Sequence, residues 1–226
     1  MYKPQFGEAN VADQSGRVII VTGGYAGIGY ELCKILYRKN GTIYIGGRSK
    51  EKFDEAEARI RADIPTSSGN LAFLQLDLAN LDAIKVSADD FLSKEKRLDV
   101  LGHELQIATN GLGPFLFTQY LLPVLRSTAA SSPQNSVRVT WATSLAIDLM
   151  ASGPGMEFNE EGSPRNFENN KTNYGQSKVS NVFLAVEFAK KLQEDGILSI
   201  SWNPGNIRTD LYRHLSGVEA AVSILE

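Results

Sequence analysis

The sequence predicts an α/β fold: a doubly wound parallel sheet of about six strands with helices on both faces. Three observations point there. The apolar run Val18-Ile19-Ile20-Val21 leads into the glycine-rich turn Thr22-Gly23-Gly24-Tyr25-Ala26-Gly27-Ile28-Gly29, which opens a helical pattern. Short apolar runs then alternate with amphipathic segments along the chain, the order that builds a parallel sheet through helical crossovers. The 226 residues suffice for one full hydrophobic core.

Element by element, residues 1–16 read as a loose arm and Arg17 to Val21 as a buried strand. Ile28, Leu32, Ile35 and Leu36 recur at helical spacing, so a helix is expected to Asn40, stopped by Gly41. Thr42 to Ile45 is a second short strand, ending in Gly46-Gly47-Arg48-Ser49. Lys50 to Ile64 is a charged surface helix closed by Pro65 and Ser67-Ser68-Gly69. A third strand, Leu71 to Leu76, precedes Asp77-Leu78 and a helix from Leu81 to Lys94. A fourth strand starts at Leu98-Asp99-Val100-Leu101, and a long helical pattern runs from His103 to Leu125. Val137 to Ala142 is a fifth strand ending at Thr143-Ser144, and residues 145–171 read as a loop rich in Gly, Pro, Asn and Glu. Tyr174 to Gln193 is helical, Ile197 to Trp202 is a sixth strand ending at Asn203-Pro204-Gly205, and the tail from Asp210 is weakly helical. Repeats, low-complexity tracts and linkers are absent from the sequence, so residues 1–226 are expected to form a single domain.

Bulk properties narrow the function. The net charge is −3 and Lys and Arg are scattered, which argues against nucleic-acid binding. The single cysteine, Cys33, sits inside the first helical pattern and reads as a small buried apolar side chain, so neither a disulfide framework nor a Cys-based metal site is expected. His103 and His214 lack metal-ligand spacing. Residues 1–16 lack a signal-like apolar stretch, and no window reaches the roughly 18 apolar residues of a membrane span. The expectation is a cytoplasmic protein without a membrane span.

Strand, glycine turn and helix together form a cradle for a dinucleotide pyrophosphate. Glycines let the backbone approach the phosphates, and the helix N-terminus offers unpaired N–H groups and a partial positive charge. The spacing of Gly23, Gly27 and Gly29 is G-x-x-x-G-x-G, and the Gly-Lys-Ser/Thr of a P-loop is missing. Thr-Gly-x-x-x-Gly-Ile-Gly resembles the short-chain dehydrogenase/reductase family, whose domain is Rossmann-like. Four further matches fall in that family's order: Asp77-Leu78, Ser144, Tyr174-Gly175-Gln176-Ser177-Lys178, and Pro204-Gly205-Asn206-Ile207-Arg208-Thr209. The wording around Glu104-Leu105-Gln106, Asn110, Gly113-Pro114-Phe115 and Asn203-Pro204-Gly205-Asn206 is most similar to the retinol-dehydrogenase-like and WW-domain-oxidoreductase-like branch.

The resemblance implies an oxidoreductase that interconverts a carbonyl and an alcohol by hydride transfer, with Tyr174 exchanging the proton. Tyr174 and Lys178 are one helical turn apart and share a face. An ammonium about 4 Å away, at an effective dielectric of ~20, favours the phenolate by about 4 kcal/mol before desolvation is subtracted. Ser144 would hydrogen-bond the substrate oxygen, with Thr143 a competing candidate. Asn110 would bind a water and complete the proton relay, as an Asn does there in the family.

Cofactor choice is read at the end of the second strand, where an acidic side chain would hold the ribose 2′-OH of NAD. Here Gly47 leaves room and Arg48 offers a guanidinium for an extra phosphate, so NADP(H) is expected, with Ser49 or Lys50 assisting. By resemblance, Thr22, Gly23, Gly27, Ile28 and Gly29 hold the pyrophosphate side. Asp77 accepts from the adenine amino group and Leu78 packs beside the ring. Tyr174 and Lys178 face the nicotinamide end, Pro204 and Gly205 belong to the cofactor site, Ile207 lies near the carboxamide, and Thr209 contacts the carboxamide or the phosphates. The partner implied is a small hydrophobic alcohol or carbonyl compound. Many relatives form homodimers through their two long helices, here around residues 103–125 and 174–193.

Two departures stand out. Family members usually follow the fourth strand with Asn-Asn-Ala-Gly and a loop; here Val100-Leu101 runs into Gly102-His103-Glu104, which predicts a strand of about four residues, ~13 Å long. A seventh strand usually follows the substrate loop, whereas this sequence ends at Glu226, leaving the sixth strand as an expected edge. These departures keep a second reading open, a catalytically impaired cofactor-binding or interaction protein of the same ancestry. A methyltransferase with a similar glycine turn would explain neither Tyr174 and Lys178 nor Arg48.

Overall fold

A computed structural model describes residues 7–103 and 111–205. Six parallel strands form one sheet: β1 (Val18–Thr22), β2 (Thr42–Gly47), β3 (Asn70–Gln75), β4 (Val100–His103), β5 (Val137–Ala142) and β6 (Ile197–Trp202). Their order is β3-β2-β1-β4-β5-β6. The chain therefore winds outward from β1 one way and from β4 the other, and the β1/β4 boundary is the switch point where open α/β sheets bind ligands beyond the strand C-termini. The crossover helices are α1 (Gly27–Arg38), α2 (Lys50–Asp63), α3 (Leu81–Lys94), α4 (Leu112–Ala130) and α6 (Asn170–Leu192), with a short α5 (Ala146–Met150) after β5.

The unbroken apolar run of β1 follows from its central position. All five of its residues are buried, and they alternate between two cores. Val18 and Ile20 join Ile84, Phe91, Leu101, Phe117, Leu121, Val139, Trp141 and Phe188 beneath α3, α4 and α6. Ile19 and Val21 join Cys33, Tyr37, Ile43, Ile45, Phe53 and Ile60 beneath α1 and α2. A strand covered on both faces leaves no room for a polar side chain before Thr22, the residue at its mouth. Among the described residues β6 is an edge strand.

Several boundaries differ from the sequence reading. The long helix begins at Leu112 rather than His103, and His103 pairs with Trp141 as the last residue of β4. The reason lies in Gly111-Leu112-Gly113-Pro114: with Gly111 as the N-cap, Pro114 falls in the first turn, where a missing N–H costs nothing. The same helix runs past Leu125 because Thr128 is tied in; its Oγ1 accepts from the Leu98 N–H at 2.9 Å. The first helix closes earlier, with Asn40 rather than Gly41 taking the left-handed turn at φ 67°. The 145–171 segment is not all loop: it holds α5, and α6 starts at Asn170 because the Asn169 side chain caps it, accepting from the Lys171 N–H at 2.9 Å.

Candidate active site at the carboxyl edge

All strands are parallel, so the ends of β1, β2, β4 and β5 open on one edge of the sheet. β1 and β5 lie two strands apart, about 10 Å. At the end of β1, Gly23 turns with φ 72° and its N–H donates to Gly46 O at 2.8 Å, tying the turn to β2. Ala26 precedes α1 without a side-chain cap, and the Tyr30 N–H to Ala26 O bond is 3.1 Å. The N–H groups of Gly27, Ile28 and Gly29 thus occupy the first turn, ahead of the helix's own hydrogen-bond ladder. Gly29 has to be glycine: a Cβ there would meet Gly23 O at 2.9 Å and Gly24 Cα at 3.1 Å. Turn and helix therefore approach more closely than any side chain permits, leaving backbone donors as the surface of the cradle. This geometry fits a pyrophosphate.

Two strands along the edge, β5 delivers Ala142, Thr143 and Ser144 to α6. The Lys178 side chain is 6% exposed; its Nζ approaches Ala142 O at 3.4 Å and lies 5.6 Å from the centroid of the Tyr174 ring. Tyr174 and Lys178, one turn apart on α6, thus lie side by side. Thr143 Oγ1 donates to Lys178 O at 3.1 Å, and the Thr143 N–H donates to Trp202 O at 2.8 Å. Thr143 is therefore used in locking β5 to α6 and β6. Ser144, next in the chain, is half-buried at the strand mouth.

Three neighbouring side chains on α6, Asn173, Gln176 and Asn181, were given no role in the sequence reading. Asn181 is 1% exposed and its Nδ2 donates to the same Ala142 carbonyl at 2.7 Å, while its Oδ1 is buried and has no hydrogen-bond partner among the described residues. Its spacing of three from Lys178 on one helix face was the signal that could have found it. Gln176 and Asn173 pin the covering segment. Gln176 accepts from the Glu157 N–H and donates to Arg165 O, both at 2.9 Å; Asn173 accepts from the Phe167 N–H at 2.8 Å. Gly175 lets this segment close in, since a Cβ would lie 2.5 Å from the Ala151 nitrogen.

The remaining candidates are dispersed along the same edge. Thr22 is buried at the end of β1. Arg48 is exposed beyond β2, and its carbonyl accepts from Gln75 Nε2 at 3.3 Å. Ser49 caps α2, its Oγ accepting from the Lys52 N–H at 3.2 Å. Lys50 pairs with Asp54 on α2. Asp77 folds an Asx turn onto the Ala79 N–H at 3.0 Å. Leu78 is 4% exposed and belongs to the hydrophobic core. Pro204 and Gly205 follow β6. Asn110, Ile207 and Thr209 lie outside the described residues. Cys33 is fully buried beneath the glycine turn, and burial pushes its thiol well above the ordinary range, which fits a packing role. Among the described residues no group of three or more metal-ligating side chains occurs, and no helix is long and apolar enough to cross a membrane.

Comparison with known proteins agrees with this fold. A family model described as short chain dehydrogenase matches residues 17–112. A short-chain dehydrogenase/reductase of Phomopsis amygdali is 40% identical over 242 residues, spanning 97% of this chain and 71% of that protein. Among solved structures, the NADP active-site complex of Pseudomonas aeruginosa RhlG superposes with a TM-score of 0.71 at 25% identity, covering 90% of this chain and 77% of that one. The NADPH-bound carbonyl reductase from chicken fatty liver shares the fold, with a TM-score of 0.71 at 20% identity over 93% of this chain and 83% of its own.

Proposed function

We propose that this chain, which belongs to the short-chain dehydrogenase/reductase family, is an NADP(H)-dependent oxidoreductase that interconverts a hydrophobic carbonyl compound and its alcohol. The observation that carries the reading is the buried Lys178 ammonium, 5.6 Å from the Tyr174 ring centroid at the sheet edge that also bears the uncapped glycine turn. NADP(H), when bound, supplies or accepts the hydride. Thr22, Gly23, Gly27, Ile28 and Gly29 would hold its pyrophosphate, Arg48 and Ser49 its 2′-phosphate, and Asp77 and Leu78 its adenine. Pro204, Gly205, Ile207 and Thr209 would hold its carboxamide end.

In the reducing direction Tyr174 gives its phenolic proton to the carbonyl oxygen and is left as phenolate. Lys178 stabilises that phenolate, Ser144 orients the oxygen by hydrogen bonding, and Asn110 carries the relay that returns the proton. Burial strengthens the Lys178–Tyr174 attraction because little water intervenes to screen it. Asn181 and Thr143 hold Lys178 and its stretch of helix against β5. The whole chain is read as one such domain of a cytoplasmic enzyme, and a homodimer through α4 and α6 is the assembly expected of it.

The test is a titration of the purified protein with NADPH and with NADH, followed by nicotinamide fluorescence, and then a turnover assay on a panel of aldehydes and ketones. Preferential NADPH binding with turnover supports the reading. Binding without turnover across the panel points instead to an impaired cofactor-binding relative. Replacing Arg48 with Asp should reverse the preference between the two cofactors; unchanged affinities would overturn the role given to Arg48.

A further inference from the structure

The far end of the cradle holds a contact with no counterpart in the sequence pattern. Gly47 closes β2 at the position where an acidic side chain would select NAD. A Cβ built on Gly47 would lie 2.2 Å from Tyr25 Cε1, 3.0 Å from its Cζ and 3.0 Å from its hydroxyl oxygen. The ring of Tyr25, from the turn after β1, therefore fills the space that a side chain at position 47 would take. The ring is half-buried and packs against the apolar cluster of Ile19, Val21, Ile43, Ile45 and Phe53, so it is supported from beneath. Its neighbour Arg48 is exposed immediately beyond.

We propose that Tyr25 is a specificity-determining residue of the dinucleotide site: its ring stands in for the missing side chain at position 47 and keeps that place neutral and closed to a carboxylate. This rests on the NADP(H) reading above. Cofactor choice then belongs to the Tyr25–Gly47 pair, because no carboxylate reaches the ribose from position 47 while the ring is seated. Exchanging Gly47 for Asp alone sets the new side chain against the seated ring and injures the site without creating an NAD enzyme. With the ring trimmed away, the carboxylate gains room.

Two measurements test this. The first needs no cofactor: thermal unfolding of Gly47→Ala in the wild-type and Tyr25→Ala backgrounds. Because every atom met belongs to the end of one half-buried side chain that can shift, the overpacked contact costs about 1 kcal/mol, roughly 2–4 °C in a chain of this size. That drop is expected in the wild-type background and should largely vanish without the ring. Equal drops in both backgrounds overturn the proposal. The second is titration of wild type, Gly47→Asp and the Tyr25→Ala/Gly47→Asp double variant with NADPH and NADH. The double variant should move the NADH-to-NADPH affinity ratio at least about tenfold toward NADH, and Gly47→Asp alone should weaken both cofactors. A full switch by Gly47→Asp alone overturns the role of Tyr25 and leaves the NADP(H) reading intact. Wild-type protein that binds neither cofactor overturns both, even where the thermal coupling is present.

Discussion

Asp99 offers the sharpest stability prediction, because it is a fully buried carboxylate (0% exposed) at the base of the strand that leads into the glycine turn. Its Oδ2 accepts from the Val18 N–H at 2.9 Å and from Arg97 Nε at 2.7 Å, and its Oδ1 accepts from Arg97 Nη2 at 2.5 Å. Arg17 stands 3.8 Å away. The backbone of Asp99 meanwhile bonds Val18 O and the Arg138 N–H, at 2.8 and 2.9 Å, so one residue stitches β1, β4 and β5. Asp99→Ala strands the buried Val18 N–H, at about 1–3 kcal/mol. It also removes the carboxylate partner of Arg97, but that guanidinium keeps its hydrogen bond to Ser132 Oγ at 3.1 Å, and the side chain is 36% exposed, so water recovers part of the loss. Relief of the carboxylate's own desolvation offsets a further part, so the sum falls at about 2–4 kcal/mol, at the lower side of broken buried pairs. Urea unfolding of a domain this size has a slope of roughly 2–3 kcal/mol/M, so the midpoint should fall by about 1 M with the slope unchanged. Asp99→Asn keeps an acceptor for Val18 and should lose about half as much. A midpoint within ~0.3 M of wild type for Asp99→Ala would refute the reasoning.

Other outcomes follow from the site. Tyr174→Phe should cut turnover by roughly 10²- to 10⁴-fold while NADPH affinity holds, and equal turnover would remove Tyr174 from the proton-transfer role. Gln176→Leu deletes both hydrogen bonds that pin residues 157 and 165 to α6; trypsin should then cut at Arg165 several times faster, read by mass spectrometry, whereas an unchanged rate would show that the side chain does not hold the segment. Cys33, buried and with its thiol pushed upward, should resist iodoacetamide at pH 8 in the folded protein and react fully in 6 M guanidinium; prompt labelling of the native protein would contradict its burial.

What could be read from the one-dimensional pattern was whatever depends on neighbours in the chain. The β1 run, the glycine turn and the four-residue step from Tyr174 to Lys178 each carry their meaning in local spacing, since strand period, turn conformation and helix pitch are local properties. The six strands, the parallel sheet and the meeting of that pair therefore followed from sequence. What spacing could not supply was which distant groups share a space. Pro114 hinted at where α4 begins, but β4 reached His103 only because β5 supplies Trp141 beside it. Tyr25 and Gly47 lie on separate strand ends, joined only when β1 and β2 align with Thr22 opposite Gly46. Asn181 gains its role only from the Ala142 carbonyl brought to it across α6 and β5. Burial and long-range pairing set free energies by three-dimensional proximity, and the tertiary structure alone decides that proximity.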